Sequence, residues 1–104
     1  MSVKILILKS LEDVVADVKE MLSGDKVVGY VLNNPFVVSI KEGEQTQVGF
    51  YPYAPLSKDK AIPIPCDWVV SIVEPLEEVK QSYLEQVNGK NSSTGEQSDS
   101  DNTD

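Results

Sequence analysis

The chain of 104 residues contains no histidine and no arginine. Without histidine, Ser-His and Cys-His nucleophile pairs are excluded. With nine lysines as its only cationic side chains, against seventeen acids, the chain carries a net charge of −8. A broad, non-specific hold on phosphates normally rests on a basic balance and usually on arginine, so only a local lysine patch stays open. A single cysteine, Cys66, rules out a disulfide within the chain. It stands beside Asp67 with no base to activate it and reads as a structural thiol. No run approaches the ~18 apolar residues of a membrane span. VKILIL near the start is too short for a signal peptide, so a soluble, cytoplasmic protein is the expectation. Aromatic residues are few: two Phe, four Tyr and one Trp.

Motifs for chemistry are also absent. Glu12-Asp13 and Glu77-Glu78 are neighbours in sequence and cannot face one substrate as acid and base. No glycine-rich phosphate loop is present. Asp99, Asp101 and Asp104 lack the glycine and the distant glutamate of a calcium loop. Neither an enzyme nor a cofactor is expected.

What is present divides into two parts. Residues 88–104, NGKNSSTGEQSDSDNTD, hold no large apolar side chain and one lysine against four acids. Such a segment cannot bury enough surface to offset its ordering entropy, and it reads as a disordered acidic tail. Residues 1–87 read as one small domain of net charge −5. That size is near the lower limit for a self-sufficient core, which favours oligomerisation.

Within the domain, VKILILK (3–9), KVVGYVL (26–32) and FVVSIKE (36–42) read as short strands, with Asn33-Asn34-Pro35 as punctuation. Gly43-Glu44 reads as a turn, and TQVGFYPYAP (46–55) as an edge strand or bend because of its prolines. LSKDK (56–60) reads as a polar loop, and AIPIPCDWVVSIVEP (61–75) holds a strand at about 67–73. Glu74-Pro75-Leu76-Glu77-Glu78 opens a helix over about 75–87, with Gly89 as its cap. The stretch LEDVVADVKEML (11–22) is ambiguous. Leu11, Val14, Val15, Val18, Met21 and Leu22 share helical spacing, yet three of the six are β-branched. Its short polar neighbours favour turn plus strand, with the strand over about 13–21. Several short strands at such spacing suggest a sandwich or small barrel.

The order of apolar strand, KS-LED turn, VVADVKEM, short polar turn and VVGYVL resembles the first motif of Sm and LSm proteins. IPIPCDWVVSIVEP resembles the second. The wider set LEDVVADV…GYVLNNPFVV…VSIVEPLEEVKQSY is similar to small Sm-like proteins encoded by phages of marine cyanobacteria, over about residues 3–85. The resemblance implies an all-β, strongly bent, five-stranded Sm-like (SH3-like) barrel with a C-terminal helix. It implies a homo-oligomeric ring of roughly five to seven subunits, joined through the 46–55 and 66–73 strands. It also implies RNA or single-stranded DNA as ligand, in processing or regulation during infection, in the host cytoplasm and not at a membrane.

The family's base pocket is not matched residue by residue. The first loop is Ser23-Gly24-Asp25-Lys26, without its aromatic and asparagine. The second is Pro65-Cys66-Asp67-Trp68, without its basic residue and glycine. Lys26 and Trp68 remain to supply a charge and a stacking plane. Tyr51 and Tyr53 are further stacking candidates, and Lys58 and Lys60 are further phosphate candidates. Against these stands a plainer reading: Trp68 and Phe50 fill the barrel, Tyr51 or Tyr53 packs between subunits, and the lysines are merely solvated. A ring used only for protein contacts is the alternative function, and it suits the acidic balance.

Overall fold

The computed structural model describes residues 1–41 and 47–88. Six antiparallel strands and one helix follow in order: β1 Val3–Leu8, β2 Asp13–Ser23, β3 Lys26–Lys41, β4 Gln47–Pro52, β5 Ala61–Pro65, β6 Val69–Val73 and α1 Glu77–Asn88. A 3-10 turn, Cys66–Trp68, joins β5 to β6. The sheet order is β4-β3-β2-β1-β6, with β5 pairing β3 off that path. The expected turn at Gly43-Glu44, the Gly89 cap and residues 89–104 of the expected tail lie outside the described residues.

The ambiguous stretch 11–22 is a strand for most of its length, and packing explains the ambiguity. Val14 and Ala16 of β2 enter one core with Leu6, Leu8, Leu32 and Ile64, while Val15 enters a second with Val3 and Tyr83. Both faces of β2 are covered, so apolar side chains occupy consecutive positions rather than alternate ones. Val14 and Val15, adjacent but in different cores, then match a helical stripe with Leu11 and Val18 by coincidence.

Three sequence expectations are corrected. The two strands expected over 26–32 and 36–42 are, as far as the described residues reach, one strand of 16 residues, Lys26–Lys41. The strand expected at 67–73 starts at Val69, because Asp67 and Trp68 lie in the 3-10 turn. Residues 61–65 form a strand of their own, β5, so the strands number six rather than five. Prolines in AIPIP hid it. Pro63 and Pro65 are exposed while Ile62 and Ile64 pack inward, on a strand that among the described residues pairs β3 alone. A strand free on one side tolerates missing N–H donors.

β3 is long because it bends twice. Against β2, Met21 pairs Gly29 and Leu22 pairs Val27, which leaves Val28 extra. Farther on, Val15 pairs Phe36 and Asp17 pairs Asn33, which inserts one more residue at Asn34-Pro35. Asn34 takes φ 51, left-handed backbone that asparagine tolerates better than most residues. Each extra residue is a bulge that bends the strand. Between the bulges residues 29–33 pair β5; beyond them residues 36–41 pair β4.

Helix α1 packs on the outer face of the sheet through Tyr83, Leu84 and Val87. Tyr83 is 1 % exposed. Its hydroxyl accepts from the Asp17 N–H at 3.2 Å. It also lies 3.0 Å from the Asn33 carbonyl and 3.1 Å from the Asn34 carbonyl, to which its proton can be donated. These are the groups that the second bulge takes out of register, so Tyr83 replaces ladder bonds that the bend costs. Phe50, a candidate for filling the barrel, packs in this outer cluster instead. On the surface, Lys4 pairs with Glu74. Glu74 is mostly exposed, so Glu74→Gln is expected to change stability by less than ~1 kcal/mol in a urea titration.

Candidate functional site

Lys26 opens β3 directly after the Gly24-Asp25 turn, and its side chain is exposed. The β3–β5 ladder ends at Gly29 opposite Pro65. Lys26 and Trp68 each lie three residues beyond that pair, and β3 contacts the 3-10 turn that holds Trp68. Both residues thus lie past the same end of the β3–β5 ladder, Lys26 at the start of β3 and Trp68 in the 3-10 turn. The Trp68 carbonyl accepts from the Lys9 N–H at 3.0 Å, which fixes the turn against the end of β1. Trp68 is 41 % exposed, so it does not fill the interior, and part of its ring faces solvent. Asp25 and Asp67 are also exposed and flank the pair in sequence.

The other four candidates gather at the far end of β3. Tyr53 packs against the inner core and lines a cleft of about 270 Å³ together with Pro35, Phe36, Pro52, Pro55 and Lys60. Tyr51 pairs Val37 on β4 and is 50 % exposed, outside that lining. Lys58 is exposed on the loop that roofs the cleft, between Ser57 and Asp59, which do line it. Among the described residues, Lys58 and Lys60 make no ion pair.

The six candidate residues therefore fall at two separate ends of β3. Eight residues of β3 separate Lys26 from Asn34 at the cleft, about 26 Å if the strand ran straight at ~3.3 Å per residue. One end carries a cation and a partly exposed indole. The other joins a lysine to an apolar, aromatic cleft whose shape is fixed by backbone bonds. The cleft went unread in the sequence because its walls, residues 34–36 and 52–62, meet only through the β3–β4 and β3–β5 pairings. Its one sequence signal was the density of proline at 35, 52 and 55.

Among the described residues no group of three or more His, Cys, Asp or Glu side chains is placed to hold a metal ion. No described helix is long and apolar enough to cross a membrane. No protein-family model matches the chain, and no curated protein matches it.

Proposed function

We propose that this chain is an Sm-like barrel that assembles into a homo-oligomeric ring and binds single-stranded nucleic acid, RNA first, at the Lys26–Trp68 end. The observation that supports the ligand is that Lys26 and Trp68, 42 residues apart in sequence, both lie past the same end of the β3–β5 ladder, where β3 contacts the 3-10 turn. A cation and a partly exposed indole at one end suit a phosphate beside a base, and stacking adds ~1 to 3 kcal/mol per base. Repetition around a ring turns one lysine per subunit into a circle of charge, so that binding gains from multivalency.

Barrel and ring are supported by the pairings. β1 pairs β2, β2 pairs β3, β3 pairs β5, and β5 runs through the 3-10 turn into β6, which pairs β1. That circuit returns to its start through a chain connection rather than a β5–β6 pairing, which is compatible with a strongly bent, partly open barrel. Among the described residues β5 is open on one side, and β4 and β6 end the sheet order as free edges. Both expose apolar side chains, Val48 and Tyr51 on β4 and Val70, Ile72 and Val73 on β6. Free apolar edges invite uncontrolled pairing. A head-to-tail β4–β6 contact satisfies each edge with its neighbour and closes at roughly five to seven copies. With the resemblance to phage-encoded Sm-like proteins, the role is RNA or DNA processing or regulation during infection.

A second reading, a ring used for protein contacts alone, is favoured by the acids at the same end, Asp25 and Asp67, and by the net charge of −8. Anisotropy titrations of labelled RNA and DNA oligonucleotides, at low and moderate salt, separate the two. The nucleic-acid reading expects wild-type binding that weakens with salt, and Lys26→Glu weaker by at least about tenfold with a shallower salt slope. Wild-type binding that Lys26→Glu leaves untouched removes this site. No binding at low salt leaves the scaffold.

A further inference from the structure

β4 and β5 occupy the same side of β3 in succession, and residues 53–60 leave the sheet between them, directly after the β4 edge. The base of this loop is tied to the bend: Asn34 N–H donates to the Lys60 carbonyl at 2.7 Å, and Tyr53 N–H donates to the Pro35 carbonyl at 3.1 Å. Within it, Ser57 N–H donates to the Ala54 carbonyl at 3.0 Å. Asp59 N–H donates to Ser57 Oγ at 3.0 Å. Pro55 fixes one further φ. The loop is thus a built structure, and at its tip Leu56 is completely exposed, at 101 %. A leucine held in water by an ordered loop gains nothing in the lone chain. It gains on burial against another surface, and a preformed loop loses little entropy in docking.

We propose that residues 53–60 form a clasp onto a second copy of this chain. Leu56 seats against Val70 of the partner subunit, and Lys58 and Lys60 face Asp67 of the partner subunit. The inference rests on the ring reading above. Antiparallel pairing of β4 with a neighbouring β6 sets the end of β4, Pro52, beside the start of β6, Val69. The loop that follows Pro52 then overhangs residues 67–70 of the neighbour. The chemistry at the two surfaces matches. Val70 is 64 % exposed. Among the described residues Lys58, Lys60 and Asp67 are all without an ion pair, so each is available across the contact. The clasp also gives the long β4–β5 excursion a purpose, since a direct connection would leave β4 with backbone bonds alone to hold the neighbour.

Light scattering over a dilution series, with far-UV circular dichroism on each sample, tests the clasp. Leu56 touches nothing in the lone chain, so Leu56→Asp is expected to keep the wild-type spectrum. Its dissociation is expected at a concentration at least about tenfold higher than that of the wild-type ring. Lys60→Asp is expected to shift dissociation in the same direction, and Lys60→Asp combined with Asp67→Lys to recover most of the loss. A wild-type ring matched at every dilution by Leu56→Asp overturns the clasp and leaves the ring reading standing. An intact Leu56→Asp ring that has lost oligonucleotide binding overturns it as well and assigns the loop to nucleic acid. A wild type that is monomeric throughout overturns both.

Discussion

Tyr83→Ala is expected to unfold the domain or leave it marginal, at a cost of roughly 3–5 kcal/mol, the range for removing a large buried aromatic side chain. Two losses combine. The ring sits 1 % exposed among Val3 and Val15 and meets Phe36 edge-on, with centroids 6.1 Å apart at 77°. The hydroxyl serves the Asp17 N–H and a carbonyl at the Asn33-Asn34 bulge. Tyr83→Phe keeps the ring and isolates the second loss. It is expected to cost about 1–3 kcal/mol, because it leaves partly buried backbone groups without a partner.

The same hydroxyl gives a pH signature. Burial pushes its pKa up to about 12, with the Asp17 N–H acting in the opposite direction and the Asp17 carboxylate adding to the rise. In the unfolded chain it titrates near 10. Between those values the folded state holds a proton that the unfolded state has lost. The contribution of this group to stability is therefore fully present below pH ~10 and is lost as pH rises towards 12, by on the order of 2–3 kcal/mol. Urea titrations at pH 9 and pH 11 are expected to differ for the wild type. In Tyr83→Phe this part of the slope disappears. An equal slope in both proteins places the alkaline loss elsewhere.

Gly29→Ala is the second large effect. A Cβ on Gly29 would stand 2.4 Å from Met21 Cε and 2.5 Å from the Ile64 carbonyl oxygen. The methionine end can swing away, but the Ile64 oxygen is backbone within β5 and can yield only if the two strands separate. Gly29 lies opposite Pro65 at the last rung of the β3–β5 ladder, beside the Val28 bulge. The glycine thus permits the close crossing that brings the 3-10 turn to β3. Overpacking there is expected to cost roughly 1–3 kcal/mol. The shift in β5 is also expected to move Trp68 relative to Lys26. Tryptophan fluorescence in the folded protein should change in Gly29→Ala, while Gly24→Ala should leave it as it was. Gly24 has open space around its Cβ position, and the cost there is backbone strain at φ 65. An unchanged emission spectrum in Gly29→Ala would separate the crossing from the site.

The sequence carried the elements better than it carried their meetings. The C-terminal helix was legible from Pro75, Glu77 and Glu78 and from the stripe ending at Val87, and it begins at Glu77 rather than Pro75. β2 was legible only through its neighbours, because burial on both faces erases the period-2 pattern. β5 was hidden because Pro63 and Pro65 read as breakers until an edge is known to receive them. The bends in β3 had local signals, Gly29 and Asn34-Pro35, but nothing local says that Tyr83, some fifty residues away, completes the second. The same limit applies to the site. Trp68 was visible as an aromatic beside a loop, and its partial exposure follows from the 3-10 turn that lifts it off β6. Tyr53 and Lys60 were singled out separately, and only the excursion between β4 and β5 brings them to one cleft, away from Lys26.

Size-exclusion chromatography with light scattering and two-wavelength absorbance, on protein mixed with a short single-stranded RNA at low salt, tests ring and ligand together. The expected result is one peak of roughly five to seven chain masses that carries the RNA with it. A protein peak at one chain mass, or a ring that elutes free of RNA, would contradict the account.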